Sequence, residues 1–122
     1  MEPIALLVSE DKVLLSRMTN DLCQSRYRVS HLREAGELLA EAREQRPMFV
    51  VLDLNLRNRD AVAVLEELKG NAELRHTLVL AFGDSADEAL LEEARAAGAD
   101  MVTTRDAVAS HLPPLVEQLL GV

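Results

Sequence analysis

Tryptophan is missing from this 122-residue chain, and one tyrosine and two phenylalanines make up its whole aromatic complement, 2% of the residues. A core drawn from such a composition must be aliphatic, and the aromatic faces that flank a flavin or interleave with a nucleic-acid-binding surface are scarce. The one cysteine, Cys23, excludes an internal disulfide; it falls in a helical pattern where a small buried hydrophobe fits, and is expected in the core. No apolar run approaches the roughly 18 to 20 residues that span a bilayer, and Met1-Glu2-Pro3 lacks the basic start and apolar stretch of a signal peptide. A cytoplasmic protein without membrane insertion is the expectation. Basic residues are outnumbered 13 to 21, and the resulting formal charge of −8 repels phosphate backbones, so direct nucleic-acid binding is not expected. Low-complexity stretches, internal repeats and Pro/Gly/Ser-rich linkers are absent as well, so residues 1–122 read as one domain, with length for about one core.

What the chain does contain is a regular alternation of two periodicities. Short apolar runs at Ile4 to Val8, Phe49 to Leu52, Leu78 to Phe82 and, more weakly, Met101 to Thr103 are too brief for buried helices and read as central strands. Arg28 to Leu32 alternates and reads as an edge strand. Between them, apolar residues recur at three- and four-residue spacing at Leu14, Leu15, Met18 and Leu22 and at Val62, Val64, Leu65 and Leu68; further helices fit Ala35 to Glu44, Ala86 to Ala97 and Ala107 to Leu120. Ser85 with Glu88 forms a capping box for the fourth helix, and Gly98 suits its left-handed stop. Five β-α units in succession predict an α/β fold, an open doubly wound parallel sheet with helices on both faces. Chemistry in such a sheet belongs at the carboxyl ends of the strands, beside the switch in strand order.

Acidic residues stand at those ends. The first strand runs into Ser9-Glu10-Asp11 and the third into Asp53. If the two strands are neighbours, as in a flavodoxin-like order, three carboxylates converge and would repel one another unless a cation joins them. Hard oxygen ligands with open positions suit Mg²⁺, and a carboxylate beside the metal can attack phosphorus. Acidic residues at loop starts are equally good helix N-caps, and Asp11 fits that role for the first helix.

At this point the sequence resembles the receiver domains of two-component response regulators, over nearly all of its length. The matching pieces are Leu6-Leu7-Val8-Ser9-Glu10-Asp11, Val50-Val51-Leu52-Asp53-Leu54-Asn55 and Ala97-Gly98-Ala99-Asp100, with Gly83 lying 30 residues and Arg105 52 residues beyond Asp53. The resemblance implies the flavodoxin-like (βα)5 sheet of order 2-1-3-4-5. It makes Asp53 the phosphoacceptor, Glu10 and Asp11 the metal-binding acidic pair, and the backbone carbonyl of Asn55 a further ligand to Mg²⁺. Placing the pair at Glu10-Asp11 puts Leu15, Met18, Leu22 and Cys23 on the buried face of the first helix, whereas Ser9-Glu10 would bury Arg17 and Asp21. The implied partners are signalling proteins, a sensor histidine kinase or a downstream effector, met through the face of helix four, strand five and helix five. Without an output domain in the sequence, a complete chain would signal through a partner.

Several positions depart from the family pattern. The slot at the end of the fourth strand, usually Ser or Thr, holds Gly83; the aromatic expected in the fifth is Val102; the Lys-Pro pair after it is Arg105-Asp106; and the Pro and Gly after the acceptor are Arg57 and Ala61. A missing hydroxyl removes about 1.5–3 kcal/mol of bonding to a charged acceptor, enough to shift a two-state switch at least tenfold. Arg keeps the charge of Lys but spreads it over a planar fork. These departures resemble the pseudo-receiver branch, whose members often act as phosphate-independent binding surfaces. An enzyme on the same fold is the competing class, but no GxGxxG or GxxxxGK[ST] loop follows the first strand. His31, His76 and His111 lack ligand spacing, and Asp87-Glu88 with Glu92-Glu93 reads as a solvated helix face.

Overall fold

The computed structural model describes residues 2–32, 34–57 and 60–121. Strands β1 (Ile4–Val8), β2 (Arg28–Leu32), β3 (Phe49–Asp53), β4 (Leu78–Gly83) and β5 (Met101–Thr104) alternate with helices α1 (Lys12–Gln24), α2 (Leu38–Gln45), α3 (Ala61–Gly70), α4 (Glu88–Ala96) and α5 (Arg105–Leu120). The strands form one parallel sheet in the order β2-β1-β3-β4-β5, the expected flavodoxin-like arrangement. The chain leaves β1 for the edge at β2 and then returns past β1 to β3. The switch in strand order therefore falls between β1 and β3, where Ser9 to Asp11 and Asp53 emerge.

Alternation along the strands divides the core in two. Leu6, Val8, Val50, Leu52, Val79 and Ala81 face α2, α3 and α4, while Ala5, Leu7, Phe49, Val51, Leu80 and Phe82 face α1 and α5. Asp53 shares the parity of Phe49 and Val51. Its carboxylate is thus delivered to the α1/α5 side, at the rim where both helices begin. Lys69 pins the other side: its Nζ donates to Thr77 O at 2.8 Å, Arg75 O at 3.2 Å and Asp100 Oδ2 at 2.7 Å, and Asp100 Oδ2 also accepts the Val79 amide at 2.8 Å. Gly98 turns over this lysine at φ 106°, where a β-carbon would come within 3.1 Å of Lys69 Cγ.

Five expectations need correction. Met101–Thr104, expected as a central strand, is an edge strand paired with β4. Cys23 is exposed: the buried stripe of α1 is Leu14, Met18 and Leu22 with Leu15 half-buried, and one residue past Leu22 the helix has turned about 100° away from the sheet. Of the four residues that the Glu10-Asp11 placement would bury, Met18 and Leu22 are buried and Leu15 half-buried, while of the alternative's two Arg17 is exposed and Asp21 half-buried. The N-cap of α4 is Asp87, whose Oδ1 accepts the Leu90 amide at 3.1 Å; Ser85 lies in a turn held by Asp84 Oδ1, which takes the Ala86 amide at 2.9 Å and delays the helix. The segment from Ala35 divides into a 3-10 turn, Ala35–Glu37, and α2, consistent with Gly36 and the missing side-chain cap at its start. Helix α5 starts at Arg105, two residues early, because Thr104 Oγ1 caps the Ala107 amide at 3.2 Å. It bends at His111 (φ −138°), where Pro113 and Pro114 remove amides and crowd the carbonyls one turn back.

Candidate functional site

The rim above β1 and β3 forms a cleft of about 440 Å³ lined by Glu10, Asp11, Asp53, Asn55, Arg57 and Arg105. Asp53 ends β3 and is 2% exposed, yet every oxygen of its carboxylate is satisfied. Oδ2 accepts the Ser9 hydroxyl at 2.8 Å and Oδ1 the Asn55 amide at 2.9 Å, while Arg105 Nη2 donates to both at 3.0 Å. A buried carboxylate survives only with such partners.

The predicted acidic pair separates into two roles. Asp11 caps α1, its Oδ1 taking the Leu14 amide at 3.1 Å, and its Oδ2 accepts Arg105 Nη1 at 3.1 Å. Glu10 accepts the Arg57 amide at 2.9 Å within the same cleft lining. The residue types at this rim, three carboxylates and the Asn55 carbonyl, are donors a hard divalent cation takes. As arranged they are engaged elsewhere, and among the described residues no three His, Cys, Asp or Glu side chains converge closely enough to hold a metal. The single guanidinium of Arg105 spans the space between Asp11 and Asp53.

The three switch slots are placed around this centre. Gly83, buried at the end of β4, sits beside the cleft; a β-carbon there would meet Asn55 Oδ1 and Leu91 Cδ2 at 3.4 Å, ordinary contact. Val102 is half-buried in β5 and packs against the core under α4. Arg105 opens α5, and its guanidinium carbon lies 5.4 Å from the centroid of the Phe82 ring, a cation–π contact. Asn55 contributes more than its carbonyl, because its side-chain Oδ1 accepts the Asp84 amide at 3.0 Å and ties the acceptor loop to the loop after β4.

A sequence profile of the response regulator receiver domain family matches residues 5–116. The chain belongs to the receiver family. It is 28% identical over 120 residues to the polar-differentiation response regulator DivK of Brucella anthropi, covering 98% of each. It is 32% identical over 120 residues to the transcriptional regulatory protein PrrA of Mycobacterium leprae, covering 97% of this receiver and 50% of that protein. Solved structures support the fold: the chemotaxis response regulator CheY4 of Vibrio cholerae superposes with a TM-score of 0.86 at 16% identity (98% and 99% covered), and the Mn²⁺-bound form of response regulator Rcp1 with 0.76 at 24% (98% and 90% covered).

Two residues of this receiver's site escaped the sequence reading. Ser9 was visible only as one half of the rejected acidic pair, and nothing local marks a serine as the partner of an aspartate 44 positions away. Phe82 shares the parity of Leu80 and so faces the α1/α5 side, a signal that could have placed it under the start of α5.

Proposed function

We propose that this receiver is a signalling module whose phosphoacceptor is Asp53 and whose output is a protein–protein contact. The observation that carries the reading is the buried Asp53 carboxylate at the switch point, held by Arg105 through both oxygens. An Asp53 oxygen forms the new O–P bond as the bond from phosphorus to the donor, a kinase phosphohistidine or a small phosphodonor, breaks with its electron pair leaving on the donor. Ser9 and the Asn55 amide hold the carboxylate in place for that attack, and Arg105 offers charge to the incoming phosphoryl oxygens. Once released from their present partners, Glu10, Asp11, Asp53 and the Asn55 carbonyl would hold Mg²⁺, which would supply positive charge to offset the meeting of two anionic groups. The reading describes a cytoplasmic single domain, residues 1–122, that acts on partners and not on a metabolite. Its partners are a sensor histidine kinase or an effector, and α4, β5 and α5 form the contact surface.

The second reading, a phosphate-independent pseudo-receiver, is favoured by Gly83 and Val102, which supply neither the hydroxyl nor the aromatic ring that would transmit phosphorylation. The deciding experiment is intact mass after incubation with a small phosphodonor and Mg²⁺, with Asp53→Asn as control. A phosphoryl increment in the parent protein alone supports the first reading; no increment in either leaves the pseudo-receiver.

A further inference from the structure

The amino-terminal end of the sheet, opposite the Asp53 rim, is basic in a chain whose formal charge is −8. Exposed arginines gather there: Arg26 and Arg28 at the start of β2, Arg43 and Arg46 at the end of α2, and Arg75 before β4, with His76 beside it. Glu2, Glu44 and Glu73 stand at the same end, but among the described residues only Glu73 meets one of these arginines, Arg43 at 3.7 Å. Asp100 is held by Lys69. We propose that this end is a docking site for an acidic segment of a partner protein, which sets its carboxylates on the arginines and an aliphatic side chain into the cleft between them.

That cleft, of about 470 Å³, is lined by Arg43, Arg46, Glu73 and His76 and by the apolar Met48 and Leu74. Met48 is 46% exposed, a large apolar side chain left open to contact. The face continues sideways, because Arg28 pairs with Ile4 and the Met48 amide donates to Ile4 O at 2.8 Å, placing the starts of β2, β1 and β3 side by side.

The helix dipole favours a cation anywhere in the last turn of a helix. Two of these arginines stand instead at positions that suit glycine. The Tyr27 amide donates to Leu22 O at 3.0 Å and the Arg26 amide to Cys23 O at 3.1 Å, closing a Schellman turn with Arg26 in its left-handed place at φ 68°. The Arg46 amide donates to Ala42 O at 3.0 Å, with φ 48°. The equivalent turn after α4 has Gly98, and α5 ends in Gly121. A β-carbon is strained in this conformation, so an arginine kept there points to use of its guanidinium.

The chemistry of the face selects among anions. A guanidinium fork takes a carboxylate two oxygens at a time, and Met48 and Leu74 add apolar contact that a bare anion leaves unused. A nucleic acid would bring a dense row of phosphates against a protein of net charge −8, and no exposed aromatic ring here offers a base a stacking face: Tyr27 is half-buried, edge-on to Phe49. A second copy of the chain would meet the same net repulsion.

The test uses the whole chain at low salt and a synthetic peptide of glutamates interspersed with leucines. The peptide is expected to move the amide signals of Arg46, Met48 and His76, to leave those of Glu10, Asp53 and Asn55 in place, and to bind less tightly as salt is raised. Arg46→Gly and Arg75→Gln should each weaken it about twofold to fivefold, the worth of one exposed ion pair. Arg46→Gly should melt no lower than the parent, because glycine suits the left-handed position; affinity lost without stability is what a purely structural arginine would not show. Should Arg46→Gly fail to fold, Arg75→Gln decides. Peptide shifts that are absent, or unchanged in the variants, overturn the proposal. Tighter binding of inorganic phosphate or of oligothymidylate at the same residues also overturns it, by assigning the face to phosphate. A dimer in sedimentation that Arg46→Gly abolishes would overturn it in favour of a second copy. Phosphorylation enters none of these measurements, so every outcome leaves the Asp53 reading as it stands.

Discussion

Ser9 and Asp53 lie 44 positions apart in the chain and share a buried hydrogen bond of 2.8 Å across the switch point of the sheet. The same Ser9 oxygen accepts the Asp11 amide at 3.1 Å, so one hydroxyl joins the acceptor strand to the start of α1. Ser9→Ala should lower stability by about 1.5–3 kcal/mol, the worth of a hydrogen bond to a charged group. Urea denaturation measures it; a change below about 0.5 kcal/mol would remove Ser9 from the framework of the site.

Replacing Asp53 with Asn keeps the shape of the side chain and the Asn55 contact but removes the nucleophilic carboxylate and the charge facing Arg105. The variant should remain folded and gain no phosphoryl group from a phosphodonor. Labelling of Asp53→Asn to the parent's extent, seen by mass spectrometry, would move the acceptor elsewhere.

A phosphoryl mimic on Asp53 should move the amide signals of α4 and β5 only slightly, because a modification shifts an equilibrium only through contacts that differ between the two states. Gly83 supplies no hydroxyl to such a contact and Val102 no ring. The double variant Gly83→Thr, Val102→Tyr should respond more strongly, and Gly83 has room for a β-carbon at contact distance from Asn55 and Leu91. Shifts in the parent as large as those in the variant would mean that the existing Asn55 bond to the Asp84 amide already couples the loops.

Lys69→Met should destabilise the domain by about 2–4 kcal/mol, since it deletes three donations from a side chain only 14% exposed and leaves the Asp100 carboxylate with the Val79 amide. The Lys69 pin lies away from the Asp53 cleft, so phosphodonor labelling of the folded variant should be unchanged. A loss under 1 kcal/mol in denaturant would show that backbone packing alone holds this corner.

Cys23 should react with a maleimide in the native protein at a rate close to that in denaturant, because the thiol lies on the outer side of α1. Strong native-state protection would restore the core position that the sequence suggested for it.

Strand and helix identity were legible because they are written in local periodicity. Alternation along Arg28 to Leu32 and apolar spacing at Val62, Val64, Leu65 and Leu68 survive in the folded chain as β2 and the buried face of α3. The β-α alternation led through the crossover rules to an open parallel sheet, while the strand order came with the family resemblance, and the position of Asp53 after an apolar run placed it at the carboxyl rim. Cys23 shows where such reading fails: a single step past Leu22 decides between core and solvent, and an apolar residue at the margin of a stripe leaves that step undecided.

What the sequence determined by itself is the succession of elements and the set of acidic residues at the strand ends, since both depend on neighbours a few positions apart. Only the tertiary structure decided which charges meet. Arg105 reaches Asp53 across 52 positions and Asp11 across 94, Glu10 takes the Arg57 amide, and Ser9 takes the place beside the acceptor. Those choices follow from strand parity, the starting points of α1 and α5 and the reach of a guanidinium. They are geometric facts of packed elements, and no local pattern in the chain encodes them.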